Sequence, residues 1–329
     1  MRRVGLLCFV AFLCMTACFS SAEEKKPWKY YRTGNPEDKT TQPSAAYFLQ
    51  GGNDLDDAFR WFCARANGGD VLVLRARGGD GYNSYIQGLC HVNSVASLVI
   101  PSREAAEDPF VVSTIRHAEA IFIAGGDQAN YIHFWKGTAV QRELNDAIAR
   151  GIPFGGNSAG LAVLGEFVFA ALNDTAESKT TLADPYHKTV TMENDFLKIP
   201  LLQGVLTDTH FAKRNRMGRL LVFLARLHVD GGPARIRAIA VDEGSAVMIE
   251  PDGNAITMGN KPAYFVESNT QPTVCKAGVP LSYGPVSVYR TTASSHFNVK
   301  SWSGKDGIAY ELTATQGVVT STQARGVIY

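Results

Sequence analysis

The chain has 329 residues, 32 Lys and Arg against 31 Asp and Glu, and 45% hydrophobic residues. That composition excludes a disordered chain and allows a large core, and the near balance of charge implies no nucleic-acid partner. At the N-terminus, Arg2-Arg3, an apolar run over 4–15 and the small residues Thr16, Ala17, Cys18, Ser20, Ser21 and Ala22 read as a signal peptide over 1–22. The run is too short for a stable membrane span, so the expected location is exported, periplasmic or extracellular. Cleavage after Ala22 is favoured; Met15-Thr16-Ala17-Cys18 is a looser lipoprotein box that leaves a lipid anchor at Cys18 open. Removing 1–22 takes away Arg2 and Arg3 and no acid, leaving 30 basic against 31 acidic residues.

Residues 23–44 are charged, contain proline and lack period, and read as a flexible lead-in. A regular pattern follows over 45–268. Buried-strand runs are expected at 45–50, 70–75, 96–100, 120–124 and 152–154, with helical spacing at 54–66, 110–117 and 138–150. Runs of Val, Ile and Leu without polar alternation belong to strands covered on both faces, which points to a mainly parallel sheet with helices on either side. Residues 171–200 read as a long loop or lid, 201–206 as a strand, and 213–227 as a helix. Strands at 237–241, 246–249 and 255–258 follow, the last two a hairpin around Pro251-Asp252-Gly253. Residues 269–329 read as a small β-rich extension. A bond between Cys63 and Cys90 is allowed in an oxidising compartment and is not deducible from spacing.

The chemistry concentrates at strand ends. Gly156-Asn157-Ser158-Ala159-Gly160 joins an apolar strand to a helix through small residues, the shape of a nucleophile elbow. Ser158 is therefore the candidate nucleophile, with the amide of Ala159 and one near Gly126 as oxyanion donors. His210, just after a strand end, is the candidate base. Its six competitors lie in helices, polar stretches or the tail. Of Asp242 and Glu243, at the end of a further strand, Glu243 is favoured as the acid that holds the imidazole, since alternation turns it the same way as Val241. Asp242 is the second choice. Arg214, Arg216 and Arg219 follow the histidine, and on a helix starting at 213 Arg216 and Arg219 share a face while Arg214 points elsewhere. Gln128, Asp208 and Thr209 complete the substrate-side candidates. No residue set has metal-ligand spacing, and no cofactor is expected.

Gly125-Gly126-Asp127-Gln128, the elbow, the long run from Asp208 to Leu220 and Val241-Asp242-Glu243, in this order, resemble the cyanophycinase and dipeptidase E group of serine peptidases (family S51) over residues 45–265. The resemblance implies a flavodoxin-like fold akin to class I glutamine amidotransferases, with serine where those enzymes have cysteine. It implies cleavage of aspartyl linkages, β-linked ones included, without a metal, on a small peptide or cyanophycin-like substrate. Ser158, His210 and Glu243 would be nucleophile, base and orienting acid, and Gln128, Asp208, Arg214, Arg216 and Arg219 would line the pocket. Thr209 stands where cyanophycin-cleaving members typically have glutamine, and Asn157 where they often have threonine. Two other readings stay open: a non-catalytic binder of acidic peptides on the same fold, and an α/β-hydrolase esterase using Asp242 and His296. A homodimer is left open as well.

Overall fold

The computed structural model describes residues 26–329; the signal-peptide reading and Cys18 lie outside them. The first half runs β1 (Lys29–Gly34), β2 (Tyr47–Gln50), α1 (Asp56–Ala64), β3 (Asp70–Arg75), α2 (Gly81–Leu89), β4 (Ser94–Val99), α3 (Pro109–Arg116), β5 (Ala120–Ile123), α4 (Gln128–Trp135), α5 (Ala139–Ala149), β6 (Phe154–Asn157) and α6 (Ala159–Ala162). The second half adds β7 (Phe167–Phe169), α7 (Ser178–Ala183), β8 (Met192–Asn194), β9 (Val205–Asp208), α8 (Met217–Val229), β10 (Ile236–Val241), β11 (Ser245–Ile249), β12 (Asn254–Gly259) and β13 (Ala263–Ser268). Six further strands close the chain: β14 (Val274–Lys276), β15 (Val279–Arg290), β16 (His296–Asn298), β17 (Ser303–Lys305), β18 (Ile308–Thr315) and β19 (Val318–Ser321).

The first sheet has the order β1-β4-β3-β5-β6-β2-β11-β12-β16-β17 and is parallel from β4 to β2. Its outer members pair antiparallel. The second sheet, β19-β18-β15-β13-β10-β9-β7-β8, is parallel only through β10, β9 and β7. One face of the first sheet packs Phe48 of β2 and Phe122 of β5 against Phe59 and Phe62 of α1, with α2 alongside. Its other face shares a core with the inner face of the second sheet, filled by side chains such as Trp135, Phe154, Ile239 and Phe265. The third core lies between the second sheet and α8, whose residues from Met217 to Ala225 are all buried. This is the mixed α/β, flavodoxin-like arrangement expected, with the C-terminal β-rich region present.

Several boundaries differ from the sequence reading. Residues 29–34, inside the stretch read as a flexible lead-in, form the edge strand β1 because β4 offers it an open ladder and Trp28 stacks on Phe110 with ring centroids 4.1 Å apart. The stretch 171–200 is not a free lid: it carries α7 and β8 and buries Phe196, Leu197 and Ile199. The β-rich tail is no separate appendage. Its strands β15, β18 and β19 continue the second sheet from β13, while β16 and β17 continue the first from β12. Cys63 and Cys90 are bonded, joining the end of α1 to the residue after α2, and Cys275 is free and buried.

Candidate active site

The carboxyl ends of β2, β5, β6, β9 and β10 converge, as open parallel sheets require of their functional loops. Between β6 and α6, Ser158 takes φ 54° and ψ −116°, a left-handed conformation that costs energy for any residue with a Cβ. The elbow is tolerated because its neighbours are small. A Cβ on Gly160 would stand 2.0 Å from the carbonyl oxygen of Ile123, and one on Gly156 would stand 2.5 Å from the backbone of Gly160. The sequence signal and the backbone strain thus share one cause: α6 lies hard against β5 and β6.

Ser158 Oγ lies 2.6 Å from Nε2 of His210, and Nδ1 of His210 lies 2.7 Å from Oε1 of Glu243. An ionised Glu243 accepts from Nδ1–H, so Nε2 is left to accept the serine hydroxyl. Burial and the neighbouring Arg214 guanidinium push the His210 pKa below its ordinary value, against the raising effect of Glu243. Burial pushes Glu243 upward, but its hydrogen bond from His210 and the charges of His210, Arg214 and Lys213 outweigh that and hold it below the usual carboxylate range. Asp242 does something else: it is buried and accepts the backbone N–H of Lys213 at 2.9 Å.

A cleft of about 400 Å³ opens over Ser158 and His210, its wall formed by Gln128, Thr209, Arg214 and Arg216 and by the backbone around Gly126 and Ala159. Arg214 is half exposed, with Nε 3.6 Å from Glu243. Arg216 is nearly buried and donates to the carbonyl and hydroxyl of Thr209 at 2.9 and 3.1 Å. Its burial pulls its pKa down to about 10, with Asp208 opposing. Gln128 also donates to the carbonyl of Phe169 at 3.4 Å.

Asp208 and Arg219 are brought together, but beneath the cleft rather than on it. They form a buried ion pair, Arg219 Nε donating to Asp208 Oδ2 at 2.9 Å, with the guanidinium 5.0 Å from the Phe169 ring centroid. The helical-wheel reading of the arginines fails for a plain reason: α8 starts at Met217, so Arg214 and Arg216 sit in the preceding turn and both reach the cleft while Arg219 faces the core. Asp127, Leu172, Asp174 and Thr175 also line the cleft and were not singled out. For Asp127 a signal existed, since it caps α4 by accepting from the N–H of Ala129. Gly52 was passed over too, although a Cβ there would fall 2.5 Å from Cε1 of His210.

A larger cavity of about 550 Å³, lined by Tyr30, Leu72, Ala96 and Phe110, opens where β3 and β4 begin, at the opposite end of the sheet from Ser158. Among the described residues no group of three His, Cys, Asp or Glu is placed to hold a metal, and no helix is long and apolar enough to cross a membrane.

The likeness to known proteins makes this chain a serine-type peptidase. Residues 82–257 match the model of peptidase family S51, and the chain belongs to that family. A cyanophycinase of Synechococcus elongatus is 26% identical over 263 residues, covering 78% of this chain and 74% of that protein. A cyanophycinase of a Nostoc species is 29% identical over 174 residues, 53% of each chain. Among solved structures, a peptidase from an acI-B1 actinobacterium shares the fold with a TM-score of 0.50 at 16% identity, covering 78% of this chain and 98% of that one. The protein is a hydrolase of peptide bonds, which sets aside both the non-catalytic binder and the esterase. His296, the base the esterase needed, stands in β16 paired between β12 and β17 and is absent from the cleft wall.

Proposed function

We propose that the protein is an exported peptidase that cleaves a peptide or isopeptide bond next to aspartate through Ser158, His210 and Glu243. The observation that carries this reading is the unbroken chain of two short hydrogen bonds from Oγ of Ser158 through the imidazole to Oε1 of Glu243. His210 takes the hydroxyl proton as Ser158 attacks the scissile carbonyl, and Glu243 stabilises the imidazolium that forms. The backbone N–H of Ala159 and one from the Gly126 turn receive the oxyanion. The imidazolium then hands its proton to the departing amine, and a water repeats the sequence to release the acyl group.

Specificity is argued from the wall. Two guanidiniums and one amide, from Arg214, Arg216 and Gln128, face the space beside the nucleophile, and such a set favours an acyl group with a second, free carboxylate, as an aspartyl residue supplies. The same-family cyanophycinases act on cyanophycin by name, but here Thr209 is engaged by Arg216 and offers no amide, so a short aspartyl peptide is the preferred substrate over cyanophycin. Export is supported by the leader pattern and by the Cys63–Cys90 bond, which persists in oxidising compartments.

The test is a panel of matched α- and β-aspartyl dipeptides, their asparaginyl counterparts and cyanophycin, assayed with the wild type and Ser158→Ala. Turnover confined to aspartyl substrates and abolished in Ser158→Ala is expected. Full activity in that variant, or equal turnover of the asparaginyl series, overturns the proposal.

A further inference from the structure

The three residues of the relay reach the site on three separate loops, yet one short segment bonds to all three loops. β2 ends in Gln50-Gly51-Gly52, and these residues present consecutive backbone carbonyls to the loops in turn. The carbonyl of Gln50 accepts the N–H of Ser158 at 3.0 Å, that of Gly51 accepts the N–H of His210 at 2.9 Å, and that of Gly52 accepts the N–H of Gly244, next to Glu243, at 2.7 Å. The N–H of Gly51 in turn donates to the carbonyl of Ser245 at 3.0 Å. Gly51 packs so closely on the end of β10 that a Cβ would fall 2.3 Å from the carbonyl oxygen of Asp242 and 2.5 Å from that of Val241, and Gly52, at φ +142°, lies against the imidazole.

A glycine pair holds no conformation by itself, since each residue is free to leave the one seen. Besides those backbone bonds, the pair is held at its far end. Asn53 turns the chain at φ 60°, and Asp54 anchors it. Asp54 Oδ1 accepts the hydroxyl of Tyr82 at 2.9 Å and Nδ2 of Asn157 at 3.1 Å; Asn157 itself lies 3.3 Å from that hydroxyl. Gln50 Nε2 donates to the carbonyl of Asn53, closing the loop upon itself. Asn157 directly precedes Ser158 and is the Cα partner of Gln50 across β2 and β6. The anchor therefore grips the elbow from the side away from the cleft. Asp54 is exposed and outside the cleft wall, and neither it nor Tyr82 touches Ser158, His210 or Glu243.

We infer that the 50–54 segment is the template that sets the mutual register of Ser158, His210 and Glu243, and that Asp54 is a positioning residue, clamped by Tyr82 and Asn157. The clamp converts a flexible Gly-Gly hinge into a rigid row of three acceptors. Loosening it leaves the substrate wall untouched and spoils the alignment of hydroxyl, imidazole and carboxylate. A misplacement of about 1 Å at such a site costs on the order of a hundredfold in rate.

This inference rests on the serine mechanism proposed above, and the experiment separates the two. A serine-directed fluorophosphonate is reacted with wild type, Asp54→Ala, Asp54→Asn and Tyr82→Phe, and kinact and KI are measured with a melting curve for each. Wild type that forms no adduct at Ser158 overturns the mechanism itself. Given wild-type labelling, the expected result is a kinact lowered about 10- to 100-fold in Asp54→Ala and by less in Tyr82→Phe, with KI within about threefold and melting temperatures near wild type. Asp54→Asn, which keeps an acceptor oxygen, recovers most of the rate. Wild-type kinact in both Asp54→Ala and Tyr82→Phe, a change carried by KI alone, or Asp54→Asn as slow as Asp54→Ala overturns the inference.

Discussion

Placing a single methyl group under the imidazole, Gly52→Ala, is the sharpest perturbation available to this site. The added Cβ would lie 2.5 Å from Cε1 and 2.6 Å from Nδ1 of His210, and 3.2 Å from Cγ of Glu243. An ordinary contact begins at 3.4 Å, so the ring has to retreat by about 0.9 Å. A ring displaced that far is tilted or shifted out of line with both partners, the serine hydroxyl at 2.6 Å and the Glu243 carboxylate at 2.7 Å, so the alignment of the relay is lost. Two penalties follow, and they are read separately. The misplaced base lowers the rate of Ser158 acylation by about a hundredfold, and the forced φ of +142° costs stability of about 1–3 kcal/mol. Fluorophosphonate labelling measures the first, and thermal unfolding followed by circular dichroism the second. A Gly52→Ala protein that labels at the wild-type rate refutes the claim that the imidazole is held against this backbone, whatever its melting temperature.

The neutral form of His210 is the active one, and its pKa is depressed, so the acidic limb of kcat/KM should lie below pH 6.5, activity being lost as pH falls through the folded value. Arg214→Met removes a charge that lowers this pKa and moves the limb upward; Glu243→Gln removes one that raises it, moves the limb downward and cuts kcat by about 10³–10⁴. Limbs that move in the opposite senses contradict the assignment. Arg219→Met leaves the buried carboxylate of Asp208 with only the Arg216 guanidinium, 3.8 Å away, as its cation and should destabilise the fold by about 3 kcal/mol in urea titrations, with Asp208→Asn in the same chain recovering part of the loss. Reduction of the Cys63–Cys90 bond, which closes a 27-residue separation, should cost about 3.5 kcal/mol by loop entropy; an unchanged midpoint in dithiothreitol would contradict that.

The interior β-strands were readable because each is a short apolar run with no polar alternation, and β3 is found over the same residues that the pattern marked. The elbow was readable because glycine is the only residue that fits at 156 and 160. Other elements owe their form to partners distant in sequence. β1 exists through β4, and nothing in residues 29–34 themselves announces it. α2 and α4 were missed because aromatic and polar residues interrupt their apolar spacing, although Asp127 caps the second. β13 was missed outright, an apolar run overlooked between turns. The assignment of Asp208 and Arg219 to the substrate side shows the limit of residue type as a guide, since an acid and an arginine near a catalytic loop serve equally well as an internal brace. The template carbonyls of residues 50–52 are backbone atoms, and no side-chain motif advertises them.

The way the last strands are shared out between the two sheets makes the peptidase portion impossible to excise cleanly. A chain ended after Ser268 would bare the flank of β12 over 254–256 and the flank of β13 over 264–267 at the same time, leaving both as open edges. It would also uncover Tyr264 and Val266, now wrapped by β15 and β18. The C-terminal strands are thus integral members of both sheets, and removing them takes away neighbours of two strands at once.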